Sequence, residues 1–255
     1  MADLQGAGIL ITRPARQAAA FAGKIAALGG KPVIFPAIVI MPPSDRAALD
    51  RVRNSIGEYD FAFFVSANTV EYGMPDAQRW PPSVVAFAPG PGTAQALADA
   101  GIANVRVPSE RFDSEGILAL PELQHVHGKR AVIFRGDGGR EFLGETLRMR
   151  GAHVDCVESY RRETPSRDTS GLVQAFDDAR IDAVTITSRE GLDNLWQIAD
   201  ERLRAAWRSK PTFAPHPRIA EHARRLGLDG VETAGGDAGL IGGLLEWLAA
   251  HPIVR

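Results

Sequence analysis

An α/β fold with two similar parallel sheets is predicted by three features of the sequence. Short apolar runs of strand type alternate with helical stretches along the whole chain. One plan (strand, turn with Pro or Gly, helix ending at Gly, strand) occupies residues 9–40 and again residues 131–162. Matching residues of the two copies stand 122 positions apart, as in Arg13 and Arg135 or Gly29 and Gly151. A constant offset of that size marks one domain-sized unit used twice, not a solenoid.

The elements follow in order. Residues 9–12 form an apolar strand, and Pro14 sits where proline suits a helix start. An Ala-rich helix over 15–28 is stopped by Gly29-Gly30. The next strand, 33–40, contains Pro36, which suggests an edge or a point where the chain leaves a sheet. Ser44 can cap a helix to about residue 57. A buried strand over 60–65 runs into a helix opened by Ser66. Strand 84–87 leads through Pro89-Gly90-Pro91-Gly92-Thr93 into a helix ending at Gly101. A short strand, 105–107, precedes a helix begun by Asp113. Strands 129–134 and 153–160 flank the helix of the second copy, and Thr164-Pro165-Ser166 reads as linker. The remainder alternates as helix 172–179, strand 183–187, a long helix 189–208, strand 212–214, helix 217–226, strand 230–233 and helix 237–250. The duplication persists through these stretches. Asp60 and Asp182 lie 122 apart, Asp113 and Asp237 124, and Gly101 and Gly227 126, a drift that loop insertions produce.

Such alternation gives parallel sheets with helices on their faces, and ligands then bind beyond the carboxyl ends of the strands. The rule selects the loops after Thr12, Val65, Phe87, Phe134, Thr187 and Ala214.

Composition narrows the chemistry. At 255 residues, 45% apolar and 24% charged, the chain is an ordinary globular protein able to bury one large core or two smaller ones. A net charge of −2 gives no field for nucleic acid or an anionic membrane. The single cysteine, Cys156, fits a reducing compartment and reads as a small buried apolar residue in a strand. No apolar stretch reaches transmembrane length, and MADLQGAG lacks the regions of a signal peptide, so a cytoplasmic location is expected. The 25 Arg outnumber the 4 Lys. Arg holds carboxylates through paired hydrogen bonds, so a polycarboxylate ligand would suit it. Codon bias accounts for most of the excess, and only Arg at strand ends carries functional weight.

The standard motifs are missing. Gly90-Pro-Gly-Thr-Ala-Gln95 has two of three dinucleotide-fingerprint glycines, and there is no P-loop. The histidines have no ligand set around them, and no Gly-x-Ser-x-Gly or His-Glu-x-x-His occurs. Ser66 and Ser188 lack an evident base and suit helix caps.

Small polar groups and Arg at strand ends remain. With Ile11-Thr-Arg-Pro14, Phe64-Val-Ser-Ala-Asn68, Gly90-Pro-Gly-Thr-Ala94, Ser114-Glu-Gly-Ile-Leu118, Phe134-Arg-Gly-Asp-Gly-Gly-Arg-Glu141, Arg150-Gly-Ala152 and Glu158-Ser-Tyr-Arg-Arg162, the chain resembles the uroporphyrinogen-III synthase family over essentially its whole length. The resemblance implies two similar flavodoxin-like parallel-sheet domains joined by two extended linkers. Domain 1 is discontinuous, 1–38 and 167–255; domain 2 is 43–160; the linkers are 37–44 and 158–166. It also implies an activity: cyclisation of the linear tetrapyrrole hydroxymethylbilane to uroporphyrinogen III, with loss of water and inversion of ring D. The enzyme would be a cyclising lyase using no metal and no cofactor. It would be a monomer, able to make transient contact with the preceding pathway enzyme.

Carried over by position, Tyr160 is the candidate catalytic residue, a proton donor to the departing hydroxyl; a tyrosine packed at a linker is the alternative. Thr93 matches a cleft threonine, or serves as a first-turn residue of its helix. Arg13, Arg135, Arg140 and Arg218 are anion candidates, each otherwise a solvated arginine. Gly136 belongs to the same turn as Arg135, and Ser66, Asn68, Ser188 and Arg189 stand at helix starts facing the expected cleft. A two-lobed binding protein that closes on an anionic ligand without chemistry is the competing reading, because fold alone does not decide function.

Overall fold

In strand Gly8–Ile11 (β1) every residue is buried, and successive side chains enter different cores. Leu10 packs with Val184 and Leu192, whereas Ile9 and Ile11 pack with Phe21 and Phe213. A strand covered on both faces needs an unbroken apolar run, which is why the strands carry little polar alternation. The same holds for Phe61–Phe64, where Ala62 and Phe64 face one core and Phe61 and Phe63 the other. Phe64 stacks on Phe134 and Phe63 on Phe87, with centroids 4.7 Å apart in both pairs.

The computed structural model describes residues 3–139, 141–165 and 168–252. After β1 come α1 (Ala15–Ala27), β2 (Lys31–Ile34) and β3 (Val39–Met41). Then follow α2 (Arg46–Asn54), β4 (Phe61–Phe64), α3 (Ala67–Gly73), β5 (Val85–Phe87), α4 (Pro91–Asp99), β6 (Val105–Arg106), α5 (Ser114–Leu118), β7 (Arg130–Gly136), α6 (Phe142–Met149) and β8 (His153–Glu163). The chain ends with α7 (Ser170–Asp177), β9 (Ala183–Thr185), α8 (Arg189–Ile198), α9 (Glu201–Arg208), β10 (Pro211–Ala214), α10 (Pro217–Arg225), β11 (Asp229–Glu232) and α11 (Gly236–Ala250).

These elements form two compact units, Met1–Val39 with Glu163–Arg255, and Ile40–Arg162. The first holds the sheet β11-β10-β9-β1-β2. Numbered within the unit, this is the flavodoxin-like order 2-1-3-4-5. The second holds β3-β8-β7-β4-β5-β6, the same order when β7 is taken as first strand, with β3 added at the edge. β1 pairs in parallel with β2 and β9, and β7 with β8 and β4. In each copy the helix after the leading strand stops at a glycine with positive φ, Gly29 at 74° and Gly151 at 88°, a conformation that a side chain strains.

Three expectations are corrected. Residues 189–208 form two helices, because Asp200 interrupts the run and accepts a hydrogen bond from the Leu203 amide as the cap of α9. The expected strand 33–40 is two strands in different sheets, and Val39–Met41, inside the expected first linker, is one of them. Residues 158–163 of the expected second linker continue β8. Backbone pairing holds that stretch, so its polar side chains do not end the strand.

Candidate functional site

In each unit some polar candidates follow the strands where the order reverses, Arg13, Ser188 and Arg189 after β1 and β9, and Arg135, Ser66 and Asn68 at the ends of β7 and β4, the usual place for a ligand in such sheets. The two places are built differently.

In the unit of β7, a cavity of about 190 Å³ is lined by Val65, Arg135, Gly139, Glu141, Leu143 and Cys156, among others. Arg135 projects near the end of β7 and pairs with Glu141, the residue before α6. That hydrogen bond raises the guanidinium above its ordinary value, with burial opposing it, so Arg135 stays cationic. Cys156 also lines this cavity and is exposed, contrary to the expected buried residue. Gly144 of α6 lies beside it, and an added Cβ there would stand 3.6 Å from Sγ.

Tyr160 lies on β8 and is 7% exposed. Its ring covers Gly136, where an added Cβ would stand 2.6 Å from Cζ and 2.8 Å from the hydroxyl oxygen. Tyr72 flanks it with ring centroids 6.4 Å apart. The Tyr160 hydroxyl makes no hydrogen bond among the described residues. The Asp137 amide donates to the Tyr160 carbonyl, and the Arg162 amide donates to the Asp137 carboxylate, fixing the end of β8 to the turn after β7.

The remaining candidates of this unit stand at helix starts outside the cavity lining. Ser66 caps α3 in a reciprocal box with Thr69, and Asn68 is half-buried in the first turn. Thr93 is buried in the first turn of α4. Arg140 lies outside the described residues.

In the other unit Arg13 is occupied. Its Nη1 meets Asp237 Oδ1 at 2.5 Å, its Cζ stands 4.3 Å over the Phe21 ring, and its side chain is 11% exposed. Lys24 holds the second Asp237 oxygen at 2.7 Å. Burial raises the Asp237 pKa, but the hydrogen bonds from Lys24 and Arg13 outweigh it and hold the carboxyl below its usual range. Ser188 caps α8 through the Gly191 amide. Arg189 is exposed and 3.5 Å from Asp193. Arg218 is exposed, and its amide donates to His216 Nδ1, the cap of α10.

The structure therefore brings Gly136 and Tyr160 together and places Arg135 at the neighbouring cavity. Sequence reasoning missed Glu141 as the partner of Arg135, although both belong to one motif and stand six positions apart. It also missed Asp237 as the partner of Arg13, which no local signal could reveal at a separation of 224 residues.

Fold and strand-end groups together define a doubly wound α/β protein with polar turns suited to a carboxylated small molecule. The sequence model of the family described as "Uroporphyrinogen-III synthase HemD" matches residues 19–235. The chain belongs to the uroporphyrinogen-III synthase family, and so to the enzymes of tetrapyrrole biosynthesis, with a small-molecule tetrapyrrole as substrate. It is 35% identical to the uroporphyrinogen-III synthase of Salmonella typhimurium over 231 residues, 89% of this chain and 94% of that one. For the Escherichia coli enzyme the identity is 32% over the same shares. Among solved structures, a mutant uroporphyrinogen III synthase from Thermus thermophilus shares the fold at a TM-score of 0.58 and 21% identity, covering 96% of this chain and 98% of that one. No helix among the described residues is long and apolar enough to cross a membrane.

Proposed function

We propose that the protein is a cyclising lyase that converts hydroxymethylbilane to uroporphyrinogen III, releasing the ring A hydroxyl as water and inverting ring D. The family match over residues 19–235 is the observation that carries this reading. The uncatalysed bilane closes to the uninverted isomer, so the protein has to favour one transition-state geometry over a facile competitor. Tyr160 is the proton donor to the departing hydroxyl. A phenolic hydroxyl can donate a proton, and the place of the Tyr160 ring against Gly136, near the end of β7, supports this role. Arg135, Arg140, Arg218 and the amides at the starts of α3, α4 and α8 receive substrate carboxylates, with Ser66, Asn68, Thr93, Ser188 and Arg189 beside them. Arg13 contributes only by exchanging Asp237 for a substrate carboxylate. We read the two compact units as two domains, and the protein as a cytoplasmic monomer.

Incubation with freshly prepared hydroxymethylbilane tests the reading. Uroporphyrinogen III is expected as the main product. The uninverted isomer alone, at the uncatalysed rate, would refute it and favour the binding-protein alternative.

A further inference from the structure

We infer that Gly136, with a β-bulge at Ser159, is a positioning device that aims Tyr160. The inference rests on the proton-donor reading of Tyr160. Along β7 and β8 the register is regular up to Arg135 opposite Glu158, then jumps so that Gly136 stands opposite Tyr160. Ser159 is the extra residue. Both Ser159 and Tyr160 are buried, as expected in a sheet covered on both faces, so the register jump alone marks the bulge. A bulge of this kind re-aims the side chain that follows it.

Two missing side chains make room for the result. Gly73, at the end of α3, faces Ser159, and an added Cβ would lie 2.4 Å from its Oγ. Gly136 faces the Tyr160 ring, and an added Cβ would lie 2.6 Å from it, closer than any side chain tolerates. Ser159 Oγ is itself buried with no hydrogen-bond partner among the described residues. A buried hydroxyl left unsatisfied is a cost that packing alone does not require, and here it accompanies a bulge that turns Tyr160 onto Gly136. Gly136 therefore acts through Tyr160 and offers no open floor to the substrate.

The test is a kinetic cycle. Tyr160→Phe should slow turnover by about a hundredfold, the loss of a general acid. Gly136→Ala should lower kcat about tenfold with KM nearly unchanged, since the phenol acts only in the transition state. Gly136→Ala combined with Tyr160→Phe should be no slower than Tyr160→Phe alone, the non-additivity of residues that act as one unit. Ser159→Gly, which adds no atom, is the second variant should Gly136→Ala fold poorly; it should lower kcat about threefold, again with KM retained. Wild-type kcat in folded Gly136→Ala, or in Ser159→Gly where that variant substitutes, would overturn the positioning role while leaving Tyr160 as donor. A further loss in the double variant would overturn it too. Wild-type turnover in Tyr160→Phe would instead remove the donor role, and the positioning role with it.

Discussion

Arg13 and Arg135 occupy equivalent places in a duplicated plan, yet the two copies use them differently. Arg13 is clamped by Asp237, laid over Phe21 and almost wholly buried. Arg135 pairs with Glu141, whose side chain is half exposed, at the wall of a cavity. The same offset sets Gly136 against Pro14 and Tyr160 against Ile38, so only one copy carries a hydroxyl over a bare glycine. One copy holds its strand-end arginine in a buried clamp, and the other leaves its arginine at a cavity wall, paired with a half-exposed carboxylate.

Breaking the clamp should therefore cost stability, and breaking its counterpart should not. The largest effect is expected from Phe21→Ala, which removes a fully buried ring beneath Arg13. It should lower unfolding free energy by about 3–5 kcal/mol, read from the urea midpoint. Asp237→Asn leaves Arg13 buried without its anion. Because the Asp237 side chain is 26% exposed, water limits the loss to about 1–2 kcal/mol in the same measurement.

The clamp also fixes a pH signature. Asp237 has a lower pKa folded than unfolded, so its contribution is complete above the unfolded value near pH 4 and is lost as the pH falls through the folded one. Stability curves of the wild type and Asp237→Asn should separate above about pH 4 and converge below it. Parallel curves down to the lowest pH would show that the pair does not titrate as described. The smallest effect on stability is expected from Glu141→Gln, within about 0.5 kcal/mol, because its carboxylate is solvated and Arg135 keeps access to water.

Much of the fold was legible because both faces of each sheet are covered. Runs such as Phe-Ala-Phe-Phe at 61–64 and Gly-Ile-Leu-Ile at 8–11 leave few alternatives, and the offset of 122 exposed the duplication. The ends of elements were less legible. The family resemblance puts Glu158-Ser-Tyr-Arg-Arg162 in a linker, but backbone pairing continues the strand through it. Neither the exposure of Cys156 nor a bulge of one residue leaves a mark in composition. At the candidate site, the strand-end rule found Arg13 and Arg135 equally. It could not tell them apart, because the carboxylate that occupies Arg13 arrives from a distant helix start.

The divergence of the two copies is tested most directly by Tyr160→Phe on hydroxymethylbilane, with rate and isomer ratio measured together. Turnover should fall about a hundredfold, with the uninverted isomer rising as spontaneous closure overtakes the slowed enzyme, while the unfolding midpoint stays near that of the wild type. A wild-type rate and isomer ratio in the folded variant would contradict the assignment of the chemistry to the Gly136–Tyr160 copy.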